Sequence, residues 1–469
     1  MTVTEWTLGA LADAIRAGQV SPVEATEACL ARIERHDRTL RAFITVDAEG
    51  ALELARVREG EAAAGRLRGP LHGVPLAYKD LCFIRGLPTS CGTKTAEYFI
   101  AEQDATAVAR LTQAGAITLG KLNMTELALG PFGDNAHHGD VQNPWRLGHC
   151  AGGSSSGSGA AVAAGLVVGA LGTDTGGSIR LPAACCGIVG LKPTYGRVSR
   201  AGVMPLSWSL DHVGPMARTV RDAALLLAVI GGHDPADATT SHRPVPDYVT
   251  QLDGPITGLR VGVPENYYWV GLDPEVTAAA RAAIGTLGHL GARVVEQPLP
   301  DPQIMSDVCN IIARCESAAV HARLVREQPH ALQPAVRARL DVGFQLSAYE
   351  YLQATRLRAR LTRAFVRDVL ATVDVLVAPT IPEPAPTLEA AKAGTTADVV
   401  ARMGRFSRLT RPWNGLGVPV LSLPCGFSAA GLPLGLQIVG RPFAEATVLR
   451  VGHAYEQAAG WWRRRPPLG

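Results

Sequence analysis

Apolar residues recur every three or four positions near the start of the chain, which predicts amphipathic helices over about the first 65 residues. Leu8, Leu11 and Ile15 have this spacing. The sequence SPVE at 21–24 is typical of a helix N-terminus, because a serine cap and a proline precede a glutamate. The chain therefore begins with helices and not with strands.

Farther along, short apolar runs alternate with helical segments. The runs suited to strands are VPLAY (74–78), AITLGKL (116–122), LVVGALGTDT (166–175), VDVLVAPT (373–380) and PVLSLPCGF (419–427). Such alternation favours an α/β fold with strands gathered into one sheet. We therefore predict a central mixed, mostly parallel β-sheet that is covered by helices on both faces.

We predict one domain over residues 1–469, with an N-terminal helical segment at 1–65 and a helix-rich peripheral part at 235–400. The apolar stretch at 157–172 is shorter than the ~18 uninterrupted apolar residues that a membrane span needs. Its small residues suit a helix packed inside a protein. It therefore predicts a buried helix, and no membrane partner.

Composition narrows the function classes. The net charge is +3 over 469 residues, which gives no reason to expect nucleic acid as a partner. The nine cysteines include no CxxC pair, a pattern that favours neither a disulfide framework nor a zinc site. The first residues lack the basic and apolar regions of a signal peptide. A cytoplasmic location is the simplest expectation.

Two glycine-serine clusters, GGSSSGSG at 152–159 and TDTGGSIR at 173–180, hold the strongest chemical signal. They place Ser154 and Ser178 on either side of an apolar segment. Glycines allow the backbone to approach a substrate and leave its N–H groups accessible. The TGGS sequence at 175–178 could therefore direct several donors at one oxyanion.

Three other interpretations of these clusters exist. A flexible linker is disfavoured because apolar segments adjoin both clusters, and a phosphate loop lacks the GK[ST] sequence. The sequence GSSSG at 153–157 does satisfy GxSxG, which would make Ser155 the nucleophile of an α/β-hydrolase. That hypothesis requires an acid and a histidine downstream, and the sequence marks no particular histidine for the role.

A nucleophilic serine without a marked histidine needs another base. Lys79 follows a strand-like apolar run, where burial would lower the pKa of its amine and favour the neutral form. The alternative is that Lys79 is a structural residue paired with Asp80. The local sequence leaves both interpretations open.

At this point the chain resembles the amidase signature family. The matching segments are GVPLAYKD (73–80), KLNMTELALG (121–130), AGGSSSGSGAAVAAG (151–165), GTDTGGSIRLPAACCGIVGLKPTYGRVSRAGV (172–203), SLDHVGPMARTV (209–220) and PLGLQIVGRPF (433–443). The resemblance implies a serine amidohydrolase in which Lys79 is the base, Ser154 the bridging serine in a cis peptide, and Ser178 the nucleophile. It implies an acyl-enzyme intermediate and neither a metal nor a cofactor.

The resemblance also assigns supporting residues. The oxyanion hole falls on the backbone N–H groups of Thr175, Gly176 and Gly177, and we expect Asp174 and Arg180 to brace that loop. The acyl pocket falls on a second group of residues. These are Ala128, Leu129, Gly130 and Trp413.

Two substrate classes fit the resemblance. One is a stand-alone amidase for small neutral, partly apolar or aryl amides or carbamates, and the other is the glutamine-hydrolysing A subunit of a glutamyl-tRNA(Gln)/aspartyl-tRNA(Asn) amidotransferase. The latter would use an acid before LTRPWN (409–414), but Phe406, Ser407 and Arg408 occupy those positions. Arg339 could match its carboxylate-binding arginine. We therefore expect the stand-alone amidase, with a small-molecule amide as its partner and self-association as a homodimer left open.

Overall fold

An eleven-stranded sheet is the centre of the computed structural model, which describes residues 5–468. The strands in chain order are β1 (Phe43–Val46), β2 (Pro75–Lys79), β3 (Pro88–Thr89), β4 (Phe99–Ile100), β5 (Ile117–Leu122), β6 (Gly169–Asp174), β7 (Val189–Lys192), β8 (His212–Ala217), β9 (Arg260–Val263), β10 (Arg293–Glu296), β11 (Val375–Pro379), β12 (Val420–Phe427) and β13 (Pro433–Gly440). Their order in the sheet is β1-β5-β2-β6-β8-β7-β12-β13-β11-β9-β10, and β3 and β4 form a separate pair.

Helices cover this sheet. In chain order they are α1 (Leu8–Arg16), α2 (Pro22–Leu40), α3 (Ala48–Ala63), α4 (Thr106–Gln113), α5 (Ser156–Ala163), α6 (Arg180–Cys186), α7 (Val220–Ile230), α8 (Pro274–His289), α9 (Pro302–Val320), α10 (Ala322–Glu327), α11 (Pro334–Gln345), α12 (Ala348–Asp368), α13 (Leu388–Lys392), α14 (Thr396–Phe406), α15 (Arg411–Leu416) and α16 (Glu445–Ala459). The predicted start of α2 is confirmed, because Ser21 and Glu24 form a capping box.

The sheet is mixed. Strand β2 runs parallel to β5 and β6, and β9 runs parallel to β10 and β11. Antiparallel pairs join these two parallel blocks through β8, β7, β12 and β13. The predicted α/β fold, with a large mixed sheet between helices, is confirmed.

Helices bury both faces of the sheet. Because neighbouring side chains of a strand point to opposite faces, a single strand contributes to two hydrophobic clusters. In β2, Leu76 and Tyr78 join one hydrophobic cluster, whereas Ala77 joins another. In β11, Val377 belongs to the first of these clusters and Leu376 to a third one. A residue at the end of a central strand is therefore enclosed by helices as well as by neighbouring strands.

Three segments differ in detail from the sequence prediction. The N-terminal segment contains the short edge strand β1, and the part at 235–400 contributes β9, β10 and β11 to the sheet. The stretch at 157–172 is buried, but its helix ends at Ala163 because Gly165 adopts a positive φ, and β6 follows. No helix within residues 5–468 is long and apolar enough to cross a membrane.

Candidate active site

Lys79 is the last residue of β2, and its side chain is fully buried. Its Nζ donates to Ser154 Oγ at 2.7 Å and to Thr173 Oγ1 at 2.8 Å. The adjacent Asp80 instead pairs with Lys121, at 3.1 Å between Nζ and Oδ1. The structural alternative for Lys79, an ion pair with Asp80, is therefore absent from the structure.

Burial is the main influence on the Lys79 amine. It lowers the pKa of Lys79 to about 7, although the negative charges that Cys82 and Asp174 can carry act in the opposite direction. A large share of the amine is neutral at pH 7 as a result. A neutral amine can accept a proton, and the hydrogen bond to Ser154 provides the path.

Ser154 and Ser155 have different environments in spite of their adjacent positions. The peptide bond between Gly153 and Ser154 is cis, as the resemblance implied. Ser155 is fully buried, and its Oγ exchanges hydrogen bonds of 3.2 Å with the backbone of Thr173. Its N–H donates to the carbonyl of Ser178 at 3.2 Å. Ser155 therefore fastens two loops together, which argues against its being an exposed nucleophile.

Ser178 lies in the loop between β6 and α6, and a buried ion pair holds that loop. Arg180 Nε donates to Asp174 Oδ2 at 2.9 Å. Burial alone would raise the pKa of Asp174, but the Arg180 guanidinium holds it well below its usual range. The contacts agree with the bracing role expected for both residues.

The backbone donors beside Ser178 are not equivalent. The N–H of Gly177 donates to Asp174 Oδ1 at 2.7 Å, so this donor is already occupied. Thr175 and Gly176 line the cavity next to Ser178, and within residues 5–468 their N–H groups have no acceptor. Of the three predicted donors, Thr175 and Gly176 therefore remain open, and their role in an oxyanion hole stays a prediction. Gly177 instead fits a crowded turn, where a Cβ would approach Thr410 Oγ1 to 2.2 Å at a φ of +138°.

The segment LTRPWN (409–414) supports the same loop. Thr410 Oγ1 donates to the Gly176 carbonyl at 2.7 Å, and Asn414 Nδ2 donates to Asp174 Oδ1 at 2.8 Å. Sequence reasoning missed this bracing role. The only signal was the presence of two polar residues, Thr410 and Asn414, in a short segment, and that pattern does not reveal a partner more than 200 residues away.

Ser178 faces a cavity whose walls come from distant parts of the chain. Of the predicted acyl-pocket residues, Ala128, Leu129 and Gly130 line it. The structure does not bring Trp413 to this cavity: its ring is buried in the core, stacked on Tyr268 with 5.1 Å between ring centroids.

The remaining wall of this cavity is positively charged. Arg314 on α9, Arg339 on α11 and Arg411 at the start of α15 all line it. The sequence pointed to Arg339 alone, through the resemblance. Arg314 and Arg411 were missed, because a chain this rich in arginine gives no signal that distinguishes them.

Comparison with known proteins places this geometry in a family. The family described as Amidase matches residues 24–449. The A subunit of the glutamyl-tRNA(Gln) amidotransferase of Roseiflexus sp. (strain RS-1) is 44% identical, over 98% of this chain and 98% of its own length. A solved structure of such an A subunit, from Thermotoga maritima, is 34% identical, with a TM-score of 0.78 over 92% of this chain and 90% of that one. A chain from a vestigial complex, described in connection with the origins of an s-triazine catabolic enzyme, has a TM-score of 0.90 at 35% identity, over 96% of this chain and 98% of that one.

These likenesses correct two expectations. The stand-alone amidase for neutral, partly apolar amides is wrong as the main interpretation, because curated relatives that match over nearly their whole length are amidotransferase subunits. The expectation of a small molecule as the only partner, without nucleic acid, is wrong for the same reason, since those relatives are named for a tRNA-dependent enzyme. The sequence argument gave weight to the missing acid at 406–408 and none to Arg314 and Arg411, which line the cavity.

The catalytic geometry and the family match agree on the reaction class. Ser178, Thr175 and Gly176 line one cavity, Lys79 is hydrogen-bonded to Ser154 in the interior, and the match to the Amidase family includes all of these residues. This chain therefore belongs to the Amidase family, whose members hydrolyse amide C–N bonds.

Proposed function

We propose that this chain is the glutamine-hydrolysing A subunit of a glutamyl-tRNA(Gln)/aspartyl-tRNA(Asn) amidotransferase. The observation that carries the proposal is the likeness to such subunits, at 44% identity over 98% of this chain. Lys79 and Ser154 are hydrogen-bonded to each other, and the loop of Ser178 is joined to the neighbouring Ser155 through the Ser178 carbonyl. Partner subunits and an aminoacylated tRNA follow from this role. The nine free thiols are consistent with a cytoplasmic location, where tRNA is charged.

Lys79 is the base of the proposed mechanism. Its neutral amine accepts the proton of Ser154, while Ser154 accepts the proton of Ser178, whose Oγ attacks the side-chain amide carbon of glutamine. The 2.7 Å contact between Lys79 and Ser154 supports the first transfer. The pKa of Lys79, at about 7, supports it as well, because the base and its conjugate acid are both populated near neutral pH.

Different residues stabilise the oxyanion and protonate the leaving nitrogen. The N–H groups of Thr175 and Gly176 stabilise the negative charge on the former carbonyl oxygen. The Lys79 ammonium then returns its proton, through Ser154, to the departing nitrogen, so that ammonia leaves and an ester forms on Ser178. Water hydrolyses this ester with the same group as base, which releases glutamate and restores the serine.

Reconstitution tests the proposal. The full-length chain replaces the A subunit in a reconstituted amidotransferase of a related species, and both ammonia release from glutamine and amide transfer to glutamyl-tRNA(Gln) are measured. We expect both activities, and we expect Ser178→Ala to abolish both. A chain that releases no more ammonia than Ser178→Ala, and supports no transfer with the other subunits present, would contradict the proposal.

A further inference from the structure

One wall of the cavity beside Ser178 carries charge of a single sign. We call Arg314, Arg339 and Arg411 the arginine wall. No aspartate or glutamate of the described chain, residues 5–468, lines the cavity with them. The only other polar side chains on this part of the lining are neutral, such as Asn310.

The three residues of the arginine wall are partly buried, and they lack the partners that enclosed guanidinium groups usually have. Within the described residues none of its three members pairs with a carboxylate, and buried nitrogens of Arg314 and Arg339 have no hydrogen-bond partner. Arg339 otherwise reaches only the sulfur of Met403, at 3.9 Å. Arg411 donates to the hydroxyl of Ser407 at 2.5 Å. The donors that remain are available to a ligand.

Electrostatics indicates the sign of that ligand. Burial, together with the positive charges of Arg314 and Arg411, lowers the pKa of Arg339 well below its ordinary value. Asp134 acts in the opposite direction, but it does not line the cavity, and burial raises its own pKa. An anion bound against this wall would relieve the repulsion and fill the unused donors. A carboxylate matches the planar guanidinium group in two-point hydrogen bonds.

Glutamine only partly fits such a wall. Its carboxylate finds partners, but its α-ammonium would enter a space that holds three positive charges and no acidic side chain. A charged group that loses water without gaining a partner weakens binding. Building on the proposed function of Ser178, we propose that this cavity selects ω-amides of dicarboxylic acids without an ammonium group, and that it holds glutamine through the carboxylate alone.

The chemistry is unchanged by this preference. Ser178 Oγ forms an ester with the amide carbon, the C–N bond breaks, and the nitrogen leaves as ammonia with the proton returned by Lys79 through Ser154. Water then cleaves the ester, which releases the dicarboxylate and restores the serine hydroxyl. No oxidant, reductant or further reactant is needed.

Binding to the full-length Ser178→Ala chain tests the preference without turnover. Isothermal titration compares glutaramate (the monoamide of glutaric acid), glutamine, and butanamide, which lacks the carboxylate. We expect glutaramate to bind at least tenfold more tightly than glutamine, and butanamide to bind at least a hundredfold more weakly than glutaramate. Glutamine binding as tightly as glutaramate, or more tightly, would overturn the inference.

Turnover separates this inference from the proposed function. Hydrolysis of glutaramate with a higher kcat/KM than glutamine, by the wild-type chain with its partner subunits, would support the inference. Hydrolysis of glutamine with glutaramate left intact would overturn it and keep the proposed function. Tight binding of glutaramate to the Ser178→Ala chain, with neither amide hydrolysed by the wild type, would keep the binding preference and remove the proposed function.

Two matched pairs of variants locate the effect. Arg339→Gln should weaken glutaramate binding at least tenfold, whereas Arg337→Gln should not change it, because Arg337 lies on the same helix but pairs with Asp341 at 2.7 Å. Ser407→Asp introduces a carboxylate at the cavity and should move the affinity ratio at least tenfold toward glutamine, while Ser407→Asn should not. An unchanged ratio in Ser407→Asp, or equal losses in both arginine variants, would count against the arginine wall as the selective element.

Discussion

The two sides of the candidate active site differ in how far the protein satisfies its own polar groups. On the catalytic side, the Lys79 amine donates to two hydroxyl groups, and the Asp174 carboxylate accepts from Gly177 and Arg180. On the opposite side, buried nitrogens of Arg314 and Arg339 have no partner in the described chain. The side chains of the catalytic side are paired with one another, and only the N–H groups of Thr175 and Gly176 are open there, whereas the opposite side leaves charged side-chain donors open.

This difference follows from what each side does. Groups that stabilise a transition state act best when they are already in position, because no reorganisation is then needed during the reaction. Groups that select a ligand gain by leaving donors unpaired, since a ligand that fails to pair them binds poorly. The bracing by Thr410 and Asn414 belongs to the first class, and the arginine wall belongs to the second.

Two buried lysines show the same principle on a smaller scale. Lys121 is paired with the carboxylate of Asp80, and it also donates to Thr89. Lys79 has only neutral hydroxyl partners, Ser154 and Thr173. Burial therefore lowers the pKa of Lys79 to about 7, whereas Lys121 has a counter-ion within reach. Lys121 is thus held by an ion pair, whereas Lys79 has the environment that the proposed base requires.

The largest expected loss of activity comes from substitutions on the catalytic side. Lys79→Ala and Ser154→Ala should each lower kcat/KM for glutamine by about 10³-fold, the middle of the range for a lost general base. The double variant should be little worse than either single variant, because the two residues act as one unit. Steady-state ammonia release measures this.

Ser156→Ala is the matched control for Ser154→Ala. Ser156 is a buried serine two positions farther on, at the start of α5, and its hydroxyl has no hydrogen-bond partner among residues 5–468. We expect its kcat/KM to stay within about threefold of the wild-type value, since no interaction is lost. Equal losses in the two variants would show that this segment is merely sensitive to packing, and would refute the relay.

The second-largest expected effect is a fall in kcat/KM for glutamine as the pH is lowered. Lys79 must be neutral to accept a proton, and its pKa is about 7. The rate kcat/KM should therefore be level above pH 8 and fall about tenfold for each unit well below pH 7, to about 1% at pH 5. In Lys79→Ala, the small remaining activity should not follow this titration. A residual rate that still falls below pH 7 would assign the titration to another group.

The sequence predicted the burial of Lys79 and the cis bond at Ser154, because each rests on a short segment of the chain. Ser154 and Ser178 lie in glycine-serine clusters that are recognisable in the sequence. Lys79 ends a run of apolar residues, which predicts that its side chain is buried. The helix cap at Ser21 was readable for the same reason. Short strands such as β9 and β10 escaped prediction, because four residues carry too little periodicity to exceed the helical pattern around them.

The binding side could not be predicted in the same way. Arg314 and Arg411 are nearly 100 residues apart and meet only because α9 and α15 pack together. The hydrogen bond from the Gly177 N–H to Asp174 depends on a turn whose geometry cannot be derived from the sequence. The substrate prediction failed at this point, because it weighed a missing acid near Phe406 without knowledge of the surrounding charges.

The smallest effect on activity concerns Trp413, which lies outside both sides of the site. Its ring stacks on Tyr268 and is only 1% exposed. Trp413→Phe should lower the free energy of unfolding by about 1–2 kcal/mol, through lost packing, while KM for glutamine stays within about twofold. Denaturant unfolding and ammonia release measure the two quantities on the same preparation. Arg411 is two residues away but lines the cavity, so Arg411→Gln should show the reverse pattern, a raised KM with a smaller loss of stability. A raised KM in Trp413→Phe at unchanged stability would mean that Trp413 contacts the substrate after all. The cavity would then have to extend beyond Arg411, as far as Trp413.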